Sequence, residues 1–279
     1  MSRRAAITGY PVAHSRSPLI HGHWLKTHGI DGAYERIAVK PEEAEAFYRG
    51  FGDSGLVGCN VTVPHKEIAA QCCDRLEETA RIMGAANTLW LQDDGTLVGD
   101  NTDGLGFLGN LDQQAPGWDE DVSSALVLGA GGAARAIVWA LLSRGVKTVM
   151  IANRTAEKAK ALASRFAPDS IAVAWGDIPD LLGKTDCLVN TTSLGMTGQP
   201  PLDLDLAPLK SGALVTDIVY APLETPLLGE ARARGLRTVD GLGMLLHQAV
   251  PGFERWFGVR PQVTDELRRL VLADLGLAE

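Results

Sequence analysis

The chain lacks several features that would point to a membrane, a nucleic acid or a metal. Its 279 residues contain no apolar stretch close to the roughly 20 residues that a bilayer-spanning helix needs. The opening "MSRRAAITGYPV" carries two arginines but breaks at Gly9 and Pro11 before any secretory apolar core develops. No basic run appears and the net charge is −8, which argues against nucleic acid or an anionic membrane as the main partner. A small anionic ligand in a locally favourable pocket stays compatible with that charge. There are only four cysteines: Cys59, the adjacent Cys72 and Cys73, and Cys187. They form neither a C-x-x-C pair nor a zinc pattern, so they read as small buried side chains in a reducing compartment. Cytoplasm is therefore the expected location. No internal repeat, low-complexity tract or histidine–carboxylate metal spacing is present, and no metal is required.

What remains is an ordinary globular composition, 46% hydrophobic and 22% charged, long enough for two domains. Short apolar runs alternate with helical patterns, which predicts α/β layering with a mainly parallel sheet. In the first hundred residues "AAITGYP", "AYERIAV" and "GLVGCNVTVP" read as strands, and "SPLIHGHWLKTHG" and "PEEAEAFYRGFG" as helices. Ser17 is a candidate helix cap with Pro18 at the first helical position. The spacing predicts one longer helix over Lys66 to Met83, then a hairpin across "AANTLWLQDDGTLVGDN" turning at Asp94-Gly95. The polar, acidic stretch "QQAPGWDEDVSS", Gln113 to Ser124, reads as a connector, and "DELRRLVLADLG" as a closing helix.

The clearest local signal is "LVLGAGGAARAIVWALLSRG". An apolar strand runs into Gly129-x-Gly131-x-x-Ala134 and then a helix, the pattern of a dinucleotide pyrophosphate cradle. Gly129 permits the tight turn, Gly131 lets phosphate approach the backbone, and Ala134 is small enough for close helix–strand packing. The free amides at the helix start, in the stretch Ala130, Gly131, Gly132 and Ala133, would receive the phosphates. The following strand, "KTVMIANRT", ends Asn153-Arg154-Thr155 with Lys158 nearby and no carboxylate at its tip. A carboxylate there would repel a 2′-phosphate, whereas a guanidinium grips it, so the expected cofactor is NADP. Thr155 could also cap the next helix, and Glu157 suits that helix's first turn.

The stretch "CNVTVPHK" starts as a strand and stops at Pro64, with Lys66 just beyond. It belongs to an ordered series: "SRSP" (15–18), "NVTVPHK" (60–66), "AANT" (85–88) and "NTDGLG" (101–106), followed by "GAGGAARA", "NRT", "NTTSLGM" (190–196), "DIVYAPLETPLL" (217–228) and "DGLGMLLHQA" (240–249). The series covers nearly the whole chain and closely resembles the shikimate dehydrogenase family. The resemblance implies an N-terminal α/β substrate domain (1–104), an inserted Rossmann-type NADP domain (105–244) and C-terminal helices (245–279) returning to the substrate domain. It implies reversible hydride transfer between NADPH and 3-dehydroshikimate, giving shikimate on the chorismate route to aromatic amino acids, in a monomer or homodimer.

Carried onto this sequence, the family's catalytic pair falls on Lys66 and Asp103. Its shikimate contacts fall on Ser15, Ser17, Thr62, Asn87, Asp103, Tyr220 and Gln248, with Ile218 and Gly241 beside the cofactor. The residue types suit the ligand: Ser15, Ser17 and Tyr220 are neutral donors for a carboxylate, and Asn87, Asp103 and Gln248 can read ring hydroxyls. A lysine and a carboxylate within reach can move the proton that accompanies a hydride, and which of the two is the base stays open. Each residue also has a plain structural alternative, such as a cap, a turn or a packing role. The resemblance gives none of the six histidines a catalytic role, and Lys158 stands where many members of the family place a second arginine. The rival expectations are a quinate/shikimate dehydrogenase using NAD, which an acidic tip in place of Arg154 would have favoured, and a noncatalytic shikimate-sensing homologue. The latter should have a damaged Lys–Asp pair or an attached DNA-binding segment, and this chain keeps both residues.

Overall fold

The computed structural model of the protein describes residues 2–277. The chain divides into two compact units, Met1–Thr102 with Gln248–Glu279, and Asp103–His247. The first unit begins β1 (Arg3–Gly9), α1 (Ser17–Thr27), β2 (Gly32–Ala38), α2 (Ala44–Arg49), β3 (Gly58–Val61), α3 (Lys66–Cys72), β4 (Arg75–Leu76), α4 (Glu78–Met83), β5 (Thr88–Leu91) and β6 (Leu97–Asp100). Its sheet order is β2-β1-β3-β5-β6-β4. The β1–β2, β1–β3 and β4–β6 pairs are parallel, while β3–β5 and β5–β6 are antiparallel, so this sheet is mixed. The hairpin forms where Asp94-Gly95 signals it: Gly95 has φ +86° and the Asp94 carboxylate accepts from Thr96 N at 2.9 Å.

The second unit runs α5 (Asp103–Gln114), β7 (Ser124–Leu128), α6 (Gly132–Ser143), β8 (Thr148–Ala152), α7 (Ala156–Arg165), β9 (Ser170–Val173), α8 (Ile178–Leu182), β10 (Cys187–Asn190), β11 (Leu214–Asp217), α9 (Pro226–Ala233), β12 (Arg237–Val239) and α10 (Leu242–His247). All its strand pairs are parallel, in the order β12-β11-β10-β7-β8-β9. This is the doubly wound arrangement of a dinucleotide-binding sheet, with its switch point between β7 and β10. The connector is anchored within this unit: Trp118 is buried and its indole N–H donates to Asp112 at 3.0 Å.

The remaining helices, α11 (Val250–Phe257) and α12 (Asp265–Asp274), belong to the first unit. Gly58 explains how closely α11 sits on the sheet. A Cβ there would lie 2.0 Å from Trp256 Nε1, so only glycine leaves room for the indole, which donates to Leu89 O at 2.9 Å. Truncating a buried tryptophan of this kind costs about 3–5 kcal/mol.

Two local expectations are corrected. The stretch Lys66 to Met83 is not one helix. At Cys73 the backbone turns extended (φ −75°, ψ 141°), and Arg75–Leu76 pairs in parallel with Val98 and Gly99. Asp74 N donates to Leu97 O and Glu77 N to Gly99 O, both at 2.9 Å, so sheet hydrogen bonds override the helical spacing. Ser17 is likewise not a cap. It is the first residue of α1, and its own N–H donates to Ser15 Oγ at 3.3 Å.

Among the described residues no helix is long and apolar enough to cross a membrane, and no His/Cys/Asp/Glu group could hold a metal ion. All four cysteines are free thiols.

Candidate active site

In the first unit the candidate residues sit at strand ends and helix starts. Ser15 and Ser17 face each other, Oγ to Oγ at 3.2 Å, and Arg36 fixes their loop by donating to Ser15 O at 2.7 and 3.1 Å. Thr62 directly follows β3, its N–H donating to Thr8 O at 2.9 Å. Lys66 opens α3 and is half-buried, and its carbonyl accepts from Ala86 N at 2.8 Å, which ties it to the segment leading into Asn87. Asn87 is buried, with Nδ2 3.5 Å from Gln248 Oε1. The structure thus brings together Ser15 with Ser17, the Lys66 backbone with the residue before Asn87, and Asn87 with Gln248.

Residues that the sequence reading did not single out build the floor beneath Asn87. Its Oδ1 accepts from Thr102 N and Thr88 Oγ1, each at 2.9 Å. Asn60 Nδ2 lies 3.2 Å from both Asn87 O and Thr88 Oγ1, and Asn60 Oδ1 accepts from the Tyr34 hydroxyl at 2.6 Å. Burial raises the Tyr34 pKa well above its ordinary value, so it remains a donor. The legible signal was polar side chains inside otherwise apolar strand segments, at Asn60 and Thr88.

The histidines fall into two groups. His14, His23 and His28 are exposed or half-exposed, His65 Nε2 meets Val39 O at 2.7 Å, and His247 Nε2 meets Gln113 Oε1 at 2.9 Å. His21 is fully buried, its ring stacked on Tyr34 at 4.0 Å, and neither ring nitrogen has a hydrogen-bond partner. Burial lowers its pKa to about 3, which keeps the imidazole neutral.

In the second unit Asp103 opens α5, half-buried. The glycine turn follows β7: Gly129 has φ +112°, and a Cβ there would lie 2.4 Å from Thr191 Oγ1, so both conformation and space demand glycine. Gly131 precedes α6 with extended backbone, Gly132 starts the helix, and a Cβ on either would meet no protein atom within 4 Å. Ala130 and Ala133 are half-buried, whereas Ala134 is fully buried against the strand. The first turn of α6 holds no acidic residue, so no carboxylate of that turn competes for its amides.

Past β8, Asn153 Nδ2 donates to Thr155 O at 2.9 Å, and Arg154, Thr155 and Lys158 are exposed. Thr155 occupies the N-cap position of α7, but its side chain makes no capping bond. These features fit a dinucleotide with a 2′-phosphate: an open glycine turn for the pyrophosphate and a cationic, carboxylate-free strand tip.

Ile218 and Tyr220 are half-buried in the loop after β11. Gly241 packs on the same loop, where a Cβ would lie 2.3 Å from Ile218 O. Beneath the loop, the buried Asp217 accepts from Asn190 Nδ2 and Val219 N at 3.0 Å and from Thr225 Oγ1 at 2.8 Å. Burial raises the Asp217 pKa, and those three donors partly offset it.

Three family models match in succession: the shikimate dehydrogenase substrate binding domain over residues 7–89, shikimate / quinate 5-dehydrogenase over 113–196, and the shikimate 5′-dehydrogenase C-terminal domain over 241–272. The chain belongs to the shikimate dehydrogenase family. A relative from Azorhizobium caulinodans, named shikimate dehydrogenase (NADP(+)), is 59% identical over 273 residues, 98% of this chain and 97% of that one. Among solved structures, a shikimate 5-dehydrogenase from Thermus thermophilus in complex with NADP(H) and shikimate matches with TM-score 0.84 at 34% identity, covering 96% of this chain and 99% of that one. A quinate dehydrogenase from Corynebacterium glutamicum in complex with NAD matches with TM-score 0.90 at 30% identity, covering 98% and 99%.

Proposed function

We propose that this chain catalyses the reversible NADP-dependent reduction of 3-dehydroshikimate to shikimate, with Lys66 and Asp103 as the proton-handling pair. The observation that carries the substrate side is the gathering of Lys66, Asn87 and Gln248 in one unit, through the Ala86–Lys66 backbone bond and the Asn87–Gln248 approach. On the cofactor side, Arg154 stands exposed at a strand tip that lacks a carboxylate. Relatives more than half identical to this chain carry NADP(+) in their names.

When bound, the nicotinamide supplies or takes the hydride at the ring carbon. The chain's own residues handle the rest. Lys66 and Asp103 deliver a proton to the carbonyl oxygen in reduction and remove it from the hydroxyl in oxidation. Ser15, Ser17 and Tyr220 hold the carboxylate through neutral hydroxyls, so no buried counter-charge is needed. Thr62, Asn87, Asp103 and Gln248 position the ring hydroxyls, and a site built this way rejects analogues that lack them. Gly129, Ala130, Gly131, Gly132 and Ala133 cradle the pyrophosphate. Asn153, Arg154, Thr155 and Lys158 hold the adenosine 2′-phosphate, and Ile218 and Gly241 flank the nicotinamide. The substrate domain is residues 1–104 with 245–279, and the NADP domain is 105–244. The protein works in the cytoplasm as a monomer or homodimer with small-molecule partners and no nucleic acid.

NADPH formation from shikimate by wild type and Lys66→Ala tests this reading. The variant is expected to lose roughly 10²–10⁴-fold in kcat, the usual worth of a positioned acid–base group. Undiminished turnover refutes the role of Lys66. The same assay with quinate and NAD should give the lower kcat/KM, and the reverse order would favour the quinate dehydrogenase likeness.

A further inference from the structure

We infer that Thr88 and Thr102, backed by Asn60 and Tyr34, hold the Asn87 side-chain amide in one orientation, so that Asn87 meets its ligand as an N–H donor to a ring-hydroxyl oxygen. This rests on Asn87 being a substrate contact, and it deepens that assignment by fixing which atom does the reading.

Two backbone groups settle both amide orientations. The Asn87 atom facing Thr102 N at 2.9 Å must be its oxygen, because a backbone N–H can only donate. The Asn60 atom facing Asn87 O at 3.2 Å must be its nitrogen, because a carbonyl can only accept. Asn60 Oδ1 therefore faces the Tyr34 hydroxyl, which gives it its single proton at 2.6 Å. Asn60 Nδ2 also donates to Thr88 Oγ1 at 3.2 Å, leaving the Thr88 proton for Asn87 Oδ1 at 2.9 Å. The Thr102 hydroxyl donates to Gln248 O at 2.8 Å, which ties down the partner across from Asn87.

Donation thus runs one way, from Tyr34 through Asn60 and Thr88 to Asn87. Asn60, Asn87, Thr88 and Thr102 are all at most 5% exposed, so water cannot repair a reversed amide. A flip at Asn87 would set its NH2 against the Thr102 N–H and the Thr88 O–H. The network is a positioning device: it confers donor character on a side chain that could otherwise present either end, and it selects ligands with an acceptor oxygen at that point.

Kinetics with shikimate and NADP on four variants test this. Thr88→Val keeps the volume but removes the proton aimed at Asn87, and is expected to raise the shikimate KM roughly five- to tenfold. The NADP KM should stay unchanged and kcat should stay within about twofold, with Thr88→Ser restoring the wild-type value. Tyr34→Phe keeps the ring stacked on His21 and should raise the shikimate KM about twofold, so it decides the matter if Thr88→Val does not fold. Asn87→Ala separates the two assignments. If it raises the shikimate KM while folded Thr88→Val and Tyr34→Phe bind normally, the positioning role is wrong and the substrate contact stands. If Asn87→Ala leaves that KM unchanged, the contact itself falls. A Thr88→Val defect in NADP KM that serine does not rescue would also overturn the positioning role.

Discussion

The two units place their candidate residues by opposite means. In Met1–Thr102 with Gln248–Glu279, candidate side chains are held by direct hydrogen bonds: Ser15 by Ser17, and Asn87 by the Thr88 hydroxyl and the Thr102 backbone N–H. In Asp103–His247 the candidate residues are glycines with open space around them, Gly131 and Gly132, and exposed cations, Arg154 and Lys158. The difference follows from ligand chemistry. A ring of hydroxyls is read by donor and acceptor direction, which needs buried, fixed amides and hydroxyls. A phosphate is held by charge and amide direction from a helix start, which tolerates exposure.

The contrast can be broken first at Gly129. Gly129→Ala forces a side chain into φ +112° with its Cβ 2.4 Å from Thr191 Oγ1. Strain and overpacking together should cost about 4 kcal/mol, read as a lower urea midpoint. An unchanged midpoint would show that the turn can rearrange.

His21 sharpens the other side, because the buried polar floor of the first unit carries a titratable ring. Its folded pKa is about 3 against an ordinary 6.5, so the folded state binds fewer protons in that window. The stability it contributes is present above pH 6.5 and is lost as pH falls toward 3. Between pH 7 and pH 4 the loss is about 3 kcal/mol, and His21→Leu should flatten that slope in urea titrations. A slope that persists in the variant assigns the acid sensitivity elsewhere. Asp186 is a separable contributor at lower pH. Burial pushes its pKa up, but hydrogen bonds from Lys210, Ser124 and Ser123 outweigh this and hold it at about 2. Its contribution is present above 3.8 and lost as pH falls through about 2, below most of the His21 window.

The smallest expected effect is at the exposed end of the comparison. Arg154→Ala should raise the KM for NADP roughly 30-fold, about 2 kcal/mol, while leaving the shikimate KM unchanged. Equal losses toward NAD and NADP would remove the 2′-phosphate from its role.

Much of this was legible in the residues. The strand, glycine turn and helix over 124–143 follow from local chemistry, as does the hairpin at Asp94-Gly95, because each is dictated by neighbours in sequence. The break inside Lys66–Met83 was not, since apolar spacing fits a helix there and only the distant β6 strand supplies the competing ladder. The same holds for Asn60, Thr88 and Thr102: Asn60 meets Thr88 across 28 positions, Thr88 meets Thr102 across 14, and Thr102 meets Gln248 across 146.

Amino-acid order alone therefore determined the family, the two-unit α/β plan and the cationic tip that suits NADP, because motif spacing and residue type carry that information. Only the tertiary structure decided which way the amides of Asn60 and Asn87 point and why His21 stays neutral. Both depend on which donors, acceptors and rings surround a buried group, and folding brings those together from distant parts of the chain.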